Sequence, residues 1–463
     1  MLESGLSRHA VDASELLARL ENAPFSRWHA KARVIVGTAT FFDAFDALSL
    51  AFALPVLIRL WNITPAESGL LIGASYVGQL GGALLFSGLA EKFGRIRSAA
   101  AAVALMSVTS LGCAIAGSFP ALLALRVVQG IGIGGEMPVA AAYISELSKA
   151  RGRGRFFMLY EMIFPVGLMA TSQIGALVVP ASGWKTMFLI GGIPGLIVTL
   201  LLLRLPESPR WLISKGRLFE AERIVKQIEA AGSTVAAAHD RQTPALTEPR
   251  YTATVGQAER GRWRDVIAPP YRRRTFIVWT LWAAAYFVTN SLNNWMPSLY
   301  NTVYHLGLEE SLRAASMTNV AQVVILLLCA FSIDRIGRRH WTIICFAAGG
   351  VPLAILGFAG AQNVGSVMIL ATLSYGIIGS VNAVLYLYTP EIYPTRMRAI
   401  GTGLATSWLR LASAVGPAVV GVMVPATGID SVFMMFAGIS IAGALTATQM
   451  IETRARRLEE IAP

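Results

Sequence analysis

The sequence predicts an all-α membrane protein in which twelve transmembrane helices form two pseudo-symmetric six-helix bundles. The first observation is composition, because 54% of the residues are hydrophobic, only 14% are charged, and the mean hydropathy is +0.57. A water-soluble protein of 463 residues needs a more polar surface than this. The second is a series of apolar runs long enough to cross a bilayer. The third is a pair of motifs that recur at nearly one spacing in the two halves of the chain.

Apolar runs of transmembrane length occupy most of the chain, and we number the predicted spans in order. They cover about residues 33–59, 67–90, 98–117, 119–146, 156–180, 184–204, 274–300, 312–333, 341–360, 364–390, 399–425 and 429–450. A polar stretch separates six spans from six. The expected domains are a cytoplasmic amphipathic segment 1–32, bundles 33–204 and 273–450, a cytoplasmic linker 205–272 and a cytoplasmic tail 451–463.

The net charge of +12 follows from topology and does not indicate nucleic-acid binding. Of the 39 Lys and Arg residues, 34 fall in the predicted tails and even-numbered connections, and only Arg59, Lys185 and Arg313 fall in odd-numbered ones. By the positive-inside rule, both termini and the linker lie in the cytoplasm. We therefore expect a multi-pass membrane protein in contact with lipid, with both termini on the cytoplasmic side.

Two motifs of the first half recur in the second half. "EKFGRIR" from Glu91 resembles "DRIGRRH", which begins 243 positions later at Asp334. "YISELSKARGR" from Tyr143 resembles "YTPEIYPTRMR", which begins 245 positions later at Tyr388. Both pairs lie on the predicted cytoplasmic side. The equal position and sidedness indicate a parallel duplication of a six-helix unit.

These motifs carry a resemblance to the major facilitator superfamily. "SGLAEKFGRIR" and "AFSIDRIGRR" are similar to its loop signature, with Ser87 and Ala330 where the family has glycine. "RVVQGIGIGGE" resembles its fourth-helix signature, and "PESPRWL" resembles the motif after the sixth helix in its sugar and organic-ion branches. The resemblance implies a carrier whose substrate binds between the halves near mid-membrane. Rocking of the halves would expose it to each side in turn.

Charges at the cytoplasmic ends of the spans lie near water, where snorkelling makes them tolerable without a ligand. We expect them to form ion-pair networks that change when the halves rotate. These conformational candidates are Glu91, Arg95, Glu146, Arg151, Asp334, Arg338, Glu391 and Arg396.

Charges inside the spans are fewer, and an ionised group there costs a few kcal/mol or more. Asp43 and Asp46 stand one helical turn apart in span 1, and Arg410 lies near the middle of span 11. An arginine cannot shed its proton, so it needs an anion, either a resident carboxylate or a bound substrate carboxylate. Either aspartate is a candidate to balance Arg410, to contact substrate or to carry a coupled proton. A purely structural role is the alternative for each residue. Arg410 would then form a permanent ion pair or carbonyl contact, and an aspartate would accept a hydrogen bond from a local donor.

Three other buried charges have less specific roles. Arg126 begins the glycine-rich motif of span 4, where close packing favours a structural or gating role. Glu136, beside Gly134, Gly135 and Pro138, is a candidate proton site or a structural acid. Glu161 in span 5 is expected to pair with Arg126.

Aromatic and amide residues of spans 7 and 10 suit a small aromatic carboxylate, which would need charge pairing at one end and ring stacking along the other. Trp279, Trp295 and Tyr388 lie close enough to span ends to belong instead to an interfacial belt. The better cavity candidates are Tyr286, Asn290, Asn293, Asn382 and Tyr386.

Within the superfamily, "FFDAFDALSL", "GGEMPV" and "YTPEIYPTRMRAIGTG" resemble the bacterial niacin (nicotinate) transporter group, related to organic-ion and synaptic-vesicle-type carriers. The resemblance implies uptake of a small aromatic carboxylate, with a proton as candidate co-substrate. The alternatives are an aromatic-acid (benzoate or hydroxybenzoate type) proton symporter and a non-transporting sensor on the same fold. Because no catalytic, phosphate-binding or metal-spaced motif is present, we expect no enzyme, cofactor or metal site.

Overall fold

The computed structural model describes residues 12–23, 26–147, 162–239, 263–394 and 397–454. In this part of the chain, eleven helices are long and apolar enough to cross a membrane. The last of them is two helices that meet at Gly428, where φ is +81°. The described segments therefore provide twelve spans, as predicted.

The helices are numbered in chain order. They are α1 (Ala13–Asn22), α2 (Arg27–Trp61), α3 (Pro65–Phe93), α4 (Arg95–Ile115), α5 (Phe119–Glu146), α6 (Ile163–Ser182), α7 (Lys185–Leu203), α8 (Pro209–Ser214), α9 (Leu218–His239), α10 (Pro269–Thr302), α11 (Leu308–Ile336), α12 (Arg338–Ala359), α13 (Val364–Glu391) and α14 (Arg398–Ala447), with a 3₁₀ turn at Trp263–Ile267 before α10. The first spanning helix begins at Arg27, six residues before the predicted span. We call the membrane side that carries α1, α8 and α9 the linker side, and the opposite side the far side.

Local signals set the helix ends. Thr64 and Glu67 form a capping box at the start of α3, in which the Glu67 carboxylate accepts from the Thr64 N–H at 2.8 Å. Gly94 and Gly337 separate α3 from α4 and α11 from α12 with φ of +108° and +94°. Residues with a Cβ rarely adopt this backbone conformation, which explains the glycine in both copies of the repeated motif.

The first bundle, α2 to α7, relies on close helix approach. A Cβ at Gly78 or Gly82 of α3 would overlap the backbone carbonyls of Val127 and Ile131 in α5. Small residues allow such contacts, which replace the hydrophobic driving force that lipid does not supply. The second bundle, α10 to α14, packs around large buried rings such as Trp282 and Phe346.

A small amphipathic layer covers the linker side of the first bundle. Leu16 and Leu20 of α1 pack in one apolar cluster with Trp211 of α8 and Ile224 of α9. The Arg19 guanidinium donates twice to the Glu229 carboxylate, at 2.7 and 2.9 Å. The expected amphipathic N-terminal segment is therefore, in its described part, a short helix docked on the linker helix.

The two bundles contact each other most closely on the far side. A Cβ at Gly69 or Gly73 of α3 would lie 2.7 Å from a backbone carbonyl oxygen of Pro417 or Ala414 in α14. Gln173 of α6 also donates to the carbonyl of Ser316 in α11 at 3.3 Å. On the linker side, Met162 packs against an apolar cluster of the second bundle. The far side is thus closed by backbone-to-backbone contact.

Candidate functional site

A central cavity lies between the bundles, with walls from α2, α3, α5 and α6 on one side and α10, α11, α13 and α14 on the other. It contains about 1050 Å³ of empty space, including open solvent at its mouth. Most of its wall is apolar, with polar groups in between, as in many small-molecule sites. The predicted residues that line it are Asp43, Tyr286, Asn290, Asn293, Asn382, Tyr386 and Arg410.

Arg410 extends into this cavity from α14 and is 8% exposed. One terminal nitrogen donates to the Thr406 carbonyl of the same helix at 3.5 Å, and the Nε has no hydrogen-bond partner among the described residues. Within the described residues, no carboxylate oxygen lies within 4.0 Å of the guanidinium. The structure therefore shows no permanent ion pair for Arg410 in this part of the chain, and only a long contact to a carbonyl.

Asp43 faces the same cavity from α2, in the other bundle, and is 1% exposed. No described residue donates a hydrogen bond to it, and its Oδ1 is buried without a partner. Asp43 and Arg410 interact through space across the cavity. The cavity thus has an acidic wall in one bundle and a basic wall in the other.

Asp46, the other candidate of span 1 for substrate contact, does not line the cavity. Its Oδ1 accepts from the Ser110 hydroxyl at 2.8 Å, and a Cβ at Gly191 of α7 would overlap the same oxygen. Positions i and i+3 differ by about 60° around a helix, because each residue turns it by about 100°. That angle is enough to point Asp43 at the cavity and Asp46 into the first bundle.

Arg126 and Glu136 are also buried inside the first bundle and do not line the cavity. Arg126 donates to Oε1 of Gln129 at 2.7 Å and to the Asp46 carbonyl at 3.2 Å. Glu136 accepts from the Thr40 hydroxyl of α2 at 3.0 Å. Glu161 lies outside the described residues, so its expected pairing with Arg126 stays a prediction.

Aromatic rings form one part of the second bundle's wall. Trp282 stacks on Tyr286 with ring centroids 5.5 Å apart and meets Tyr386 edge-on at 4.6 Å. Both tyrosines interact electrostatically with Arg410, so the aromatic part of the wall lies next to this arginine. Trp295 and Tyr388 are buried in the second bundle, which corrects their assignment to an interfacial belt.

Amide side chains form another part of that wall. Asn290 donates to the Ser413 hydroxyl at 2.5 Å, Asn382 donates to Thr289 at 3.3 Å, and Asn293 accepts from Asn319 at 3.0 Å. The sequence reasoning missed other polar lining residues in several helices. These are Tyr76, Gln79, Thr289, Asn294 and Gln322. The two glutamines leave only a weak signal in the sequence, since each is a single neutral residue inside an apolar run.

The linker-side charges form two equivalent clusters, one in each bundle. Arg95 pairs with Glu91 at 2.9 Å and with Glu146 at 3.0 Å. Arg338 pairs with Asp334 at 3.1 Å and with Glu391 at 3.5 Å. Every one of these pairs stays inside its own bundle in this structure. Two further candidates, Arg151 and Arg396, lie outside the described residues.

Two glutamates that the sequence analysis did not select complete these clusters. Glu207 accepts from the backbone N–H of Arg95 at 2.8 Å, and Glu452 accepts from that of Arg338 at 3.0 Å. Each therefore caps a helix that starts after the positive-φ glycine of the repeated motif. Burial opposes ionisation of Glu452, but hydrogen bonds from four backbone N–H groups lower its pKa below the ordinary value. The two glutamates are 245 positions apart, the offset of the second repeat.

Two six-helix membrane bundles with a cavity at their interface are the architecture of a secondary transporter of a small molecule. The family model described as sugar (and other) transporter matches residues 39–463. The chain belongs to this family of the major facilitator superfamily, which confirms the predicted superfamily.

Known proteins resemble the chain over nearly its full length. The niacin transporter NiaP of Acinetobacter baylyi is 33% identical over 96% of this chain and 99% of its own length. The putative niacin/nicotinamide transporter NiaP of Bacillus subtilis is 27% identical over 84% of this chain and 87% of its own. The xylose transporter XylE of E. coli, partially occluded and inward open, superimposes with a TM-score of 0.73 at 18% identity, covering 92% of this chain and 99% of XylE. That likeness concerns the fold alone.

Proposed function

We propose that this transporter takes up a small aromatic carboxylate, nicotinate in the first instance, by alternating access. The observation that carries the proposal is Arg410, a buried guanidinium in the central cavity with no resident carboxylate within 4.0 Å among the described residues. A charge in that position needs an anion, and a substrate carboxylate can accept two parallel N–H bonds from it. A neutral sugar would leave the charge uncompensated.

The surroundings of Arg410 support an aromatic substrate. Tyr286 and Tyr386 adjoin the guanidinium and offer ring faces and edges for stacking. Asn290, Asn293 and Asn382 supply amide groups that can hydrogen-bond a ring heteroatom. The two bacterial relatives, both named for niacin transport, support the same substrate class.

The proposed cycle moves bundle 33–204 against bundle 273–450, with the linker side facing the cytoplasm of a bacterium and the carrier acting as a monomer. The closed far side corresponds to a state loaded or emptied from the linker side. The linker-side charge clusters are intact within each bundle, so they are available to re-pair across the bundles in the opposite state. Coupling to a proton gradient would use Asp43, Asp46 or Glu136, the acids closest to the cavity or buried beside it.

Uptake into proteoliposomes tests the proposal. Labelled nicotinate should accumulate, faster with an inward proton gradient, and unlabelled nicotinate should compete while nicotinamide, which lacks the carboxylate, should not. Protein-free liposomes and the Arg410→Gln variant are the controls. Equal competition by nicotinamide would refute a carboxylate-reading site, and binding without uptake would support a sensor.

The aromatic-acid symporter is the second candidate, because Arg410 and the tyrosine wall would accept benzoate equally well. Benzoate uptake without nicotinate uptake would assign the protein to that branch. Such a result would keep the arginine as the anion site and change only the identity of the ring.

A further inference from the structure

We propose that Asp43 is the second charged residue of the substrate site, opposite Arg410, and that it binds the ring nitrogen of a pyridine carboxylate through one shared proton. This inference rests on the proposed function, because it takes the contact between Arg410 and the substrate carboxylate as given. It narrows the substrate class from aromatic acids in general to aromatic acids with a basic ring nitrogen.

The first support is that Asp43 lacks a donor. It is 1% exposed, it lines the cavity, and no described residue donates a hydrogen bond to either of its oxygens. A buried carboxyl group without a partner is costly, so such groups are normally hydrogen-bonded. Asp46 on the same helix accepts a hydrogen bond from Ser110 at its Oδ1, so a donor reaches the neighbouring acid but not Asp43.

The second support is the arrangement of charge around Asp43. It faces Glu136 from α5, Asp46 from its own helix, Tyr76 from α3 and Arg410 from α14. Only Arg410 is cationic in this set, and it belongs to the opposite bundle. When a substrate carboxylate occupies Arg410, Asp43 loses the compensating charge that these described groups supply, and its acidic neighbours remain.

One proton restores the balance. A substrate that enters as a monoanion adds one negative charge, and a proton from the solution that enters with it cancels that charge. When this proton lies between an Asp43 oxygen and the ring nitrogen, it forms a hydrogen bond that joins the two atoms. The bond exists whichever of the two atoms carries the proton. The carboxylate would then be held by the second bundle and the nitrogen by the first, so the substrate would tie the bundles together.

Benzoate lacks the nitrogen and can engage only Arg410. We expect it to bind more weakly, with no proton shared at Asp43 and without a tie between the bundles. N-methylnicotinate carries a fixed positive charge at the same ring position. It should bind opposite an ionised Asp43 and take up no proton.

Calorimetry of the purified full-length carrier tests this, using nicotinate, benzoate and N-methylnicotinate in two buffers of different ionisation enthalpy. Nicotinate should bind the parent with uptake of about one proton and N-methylnicotinate, which brings its own positive charge, with none; benzoate is compared by its affinity. Asp43→Asn should weaken nicotinate binding by about tenfold or more, the size expected for a hydrogen bond to a charged group. It should leave benzoate within about threefold and abolish the proton uptake.

Ser49→Ala is the matched control, since Ser49 is buried on the same helix, donates to no described group but the Phe45 carbonyl and does not line the cavity. It should behave as the parent. Equal loss of nicotinate and benzoate in Asp43→Asn, or no loss of either, would overturn the inference while leaving Arg410 in place. Failure of the parent to bind any of the three acids would overturn the proposed function itself.

Discussion

Replacing Arg410 with glutamine should remove carboxylate binding without destabilising the fold. The side chain is 8% exposed, and its one described hydrogen bond is a 3.5 Å contact to a carbonyl of its own helix. The substitution therefore breaks no hydrogen bond to a resident carboxylate in the described chain, and Asp43 loses only a through-space interaction across the cavity. A bound substrate carboxylate does lose its partner, and truncating one member of a buried charge pair costs about 2–5 kcal/mol. That corresponds to roughly a 30-fold to several-thousand-fold rise in Kd.

Equilibrium binding of labelled nicotinate and thermal unfolding of the purified protein measure the two effects separately. Arg126→Gln is the comparison, because Arg126 is equally buried but donates to Gln129 and to the Asp46 carbonyl. Its loss should lower the melting temperature. Parent-like affinity in Arg410→Gln would refute the anion site. A fall in its melting temperature as large as that of Arg126→Gln would show that Arg410 is a structural tie.

Three further substitutions test the gate, the cap and the coupling. Gly73→Leu should hold the far side open and abolish uptake while nicotinate still binds, because a Cβ at this position would lie 2.7 Å from the Ala414 carbonyl oxygen. Gly81→Leu is the control, because a Cβ there meets no atom within 4 Å. Parent-like uptake in Gly73→Leu would contradict the gate. Glu452→Gln should lower stability by about 1 kcal/mol at neutral pH, as for a lost helix cap. Because the folded pKa of Glu452 lies below its ordinary value of 4.5, its contribution is present above that value and lost as pH falls through the folded pKa. The parent's melting temperature should therefore drop more steeply in acid than that of the variant, and parallel curves would exclude the cap. Asp46→Asn keeps an acceptor for Ser110 but cannot ionise, so it should weaken the response of uptake to a proton gradient, and equal gradient dependence would remove Asp46 from coupling.

Hydropathy predicted the spans because lipid demands long apolar helices wherever the chain crosses it. The same rule identified Asp43 and Arg410, since charge in such a helix stands out. It could not separate Asp43 from Asp46. Their sequence spacing is one helical turn, and only the packing of α4 and α7 against α2 shows which one is enclosed.

Other parts of the site have signals that are too weak in the sequence alone. Gln79 and Gln322 are neutral, and a single amide in an apolar run is as compatible with helix packing as with a cavity wall. Glu207 and Glu452 lie in segments, "LPESPR" and "MIETRA", that share little beyond the glutamate and the hydroxyl residue after it. Their equivalence becomes visible only when both carboxylates are seen at the start of the helix after a repeated glycine.

The duplication preserved the scaffold and allowed the cavity to become asymmetric. The charge clusters around Arg95 and Arg338 match residue for residue, down to their capping glutamates. At the repeat offsets of 243 to 245, however, Arg410 corresponds to the apolar stretch 165–167, and Asp43 corresponds to 286–288, which carries no charge. Each bundle has therefore gained one charge that the other lacks, and the two charges face the same cavity. A symmetric site would bind a ligand equally well in two orientations, whereas this one sets a single orientation, with the anionic end on the second bundle. A fixed orientation lets one ligand contact both bundles at once. It also gives the carrier a physical basis for distinguishing a substrate from an inhibitor that fills only half of the site.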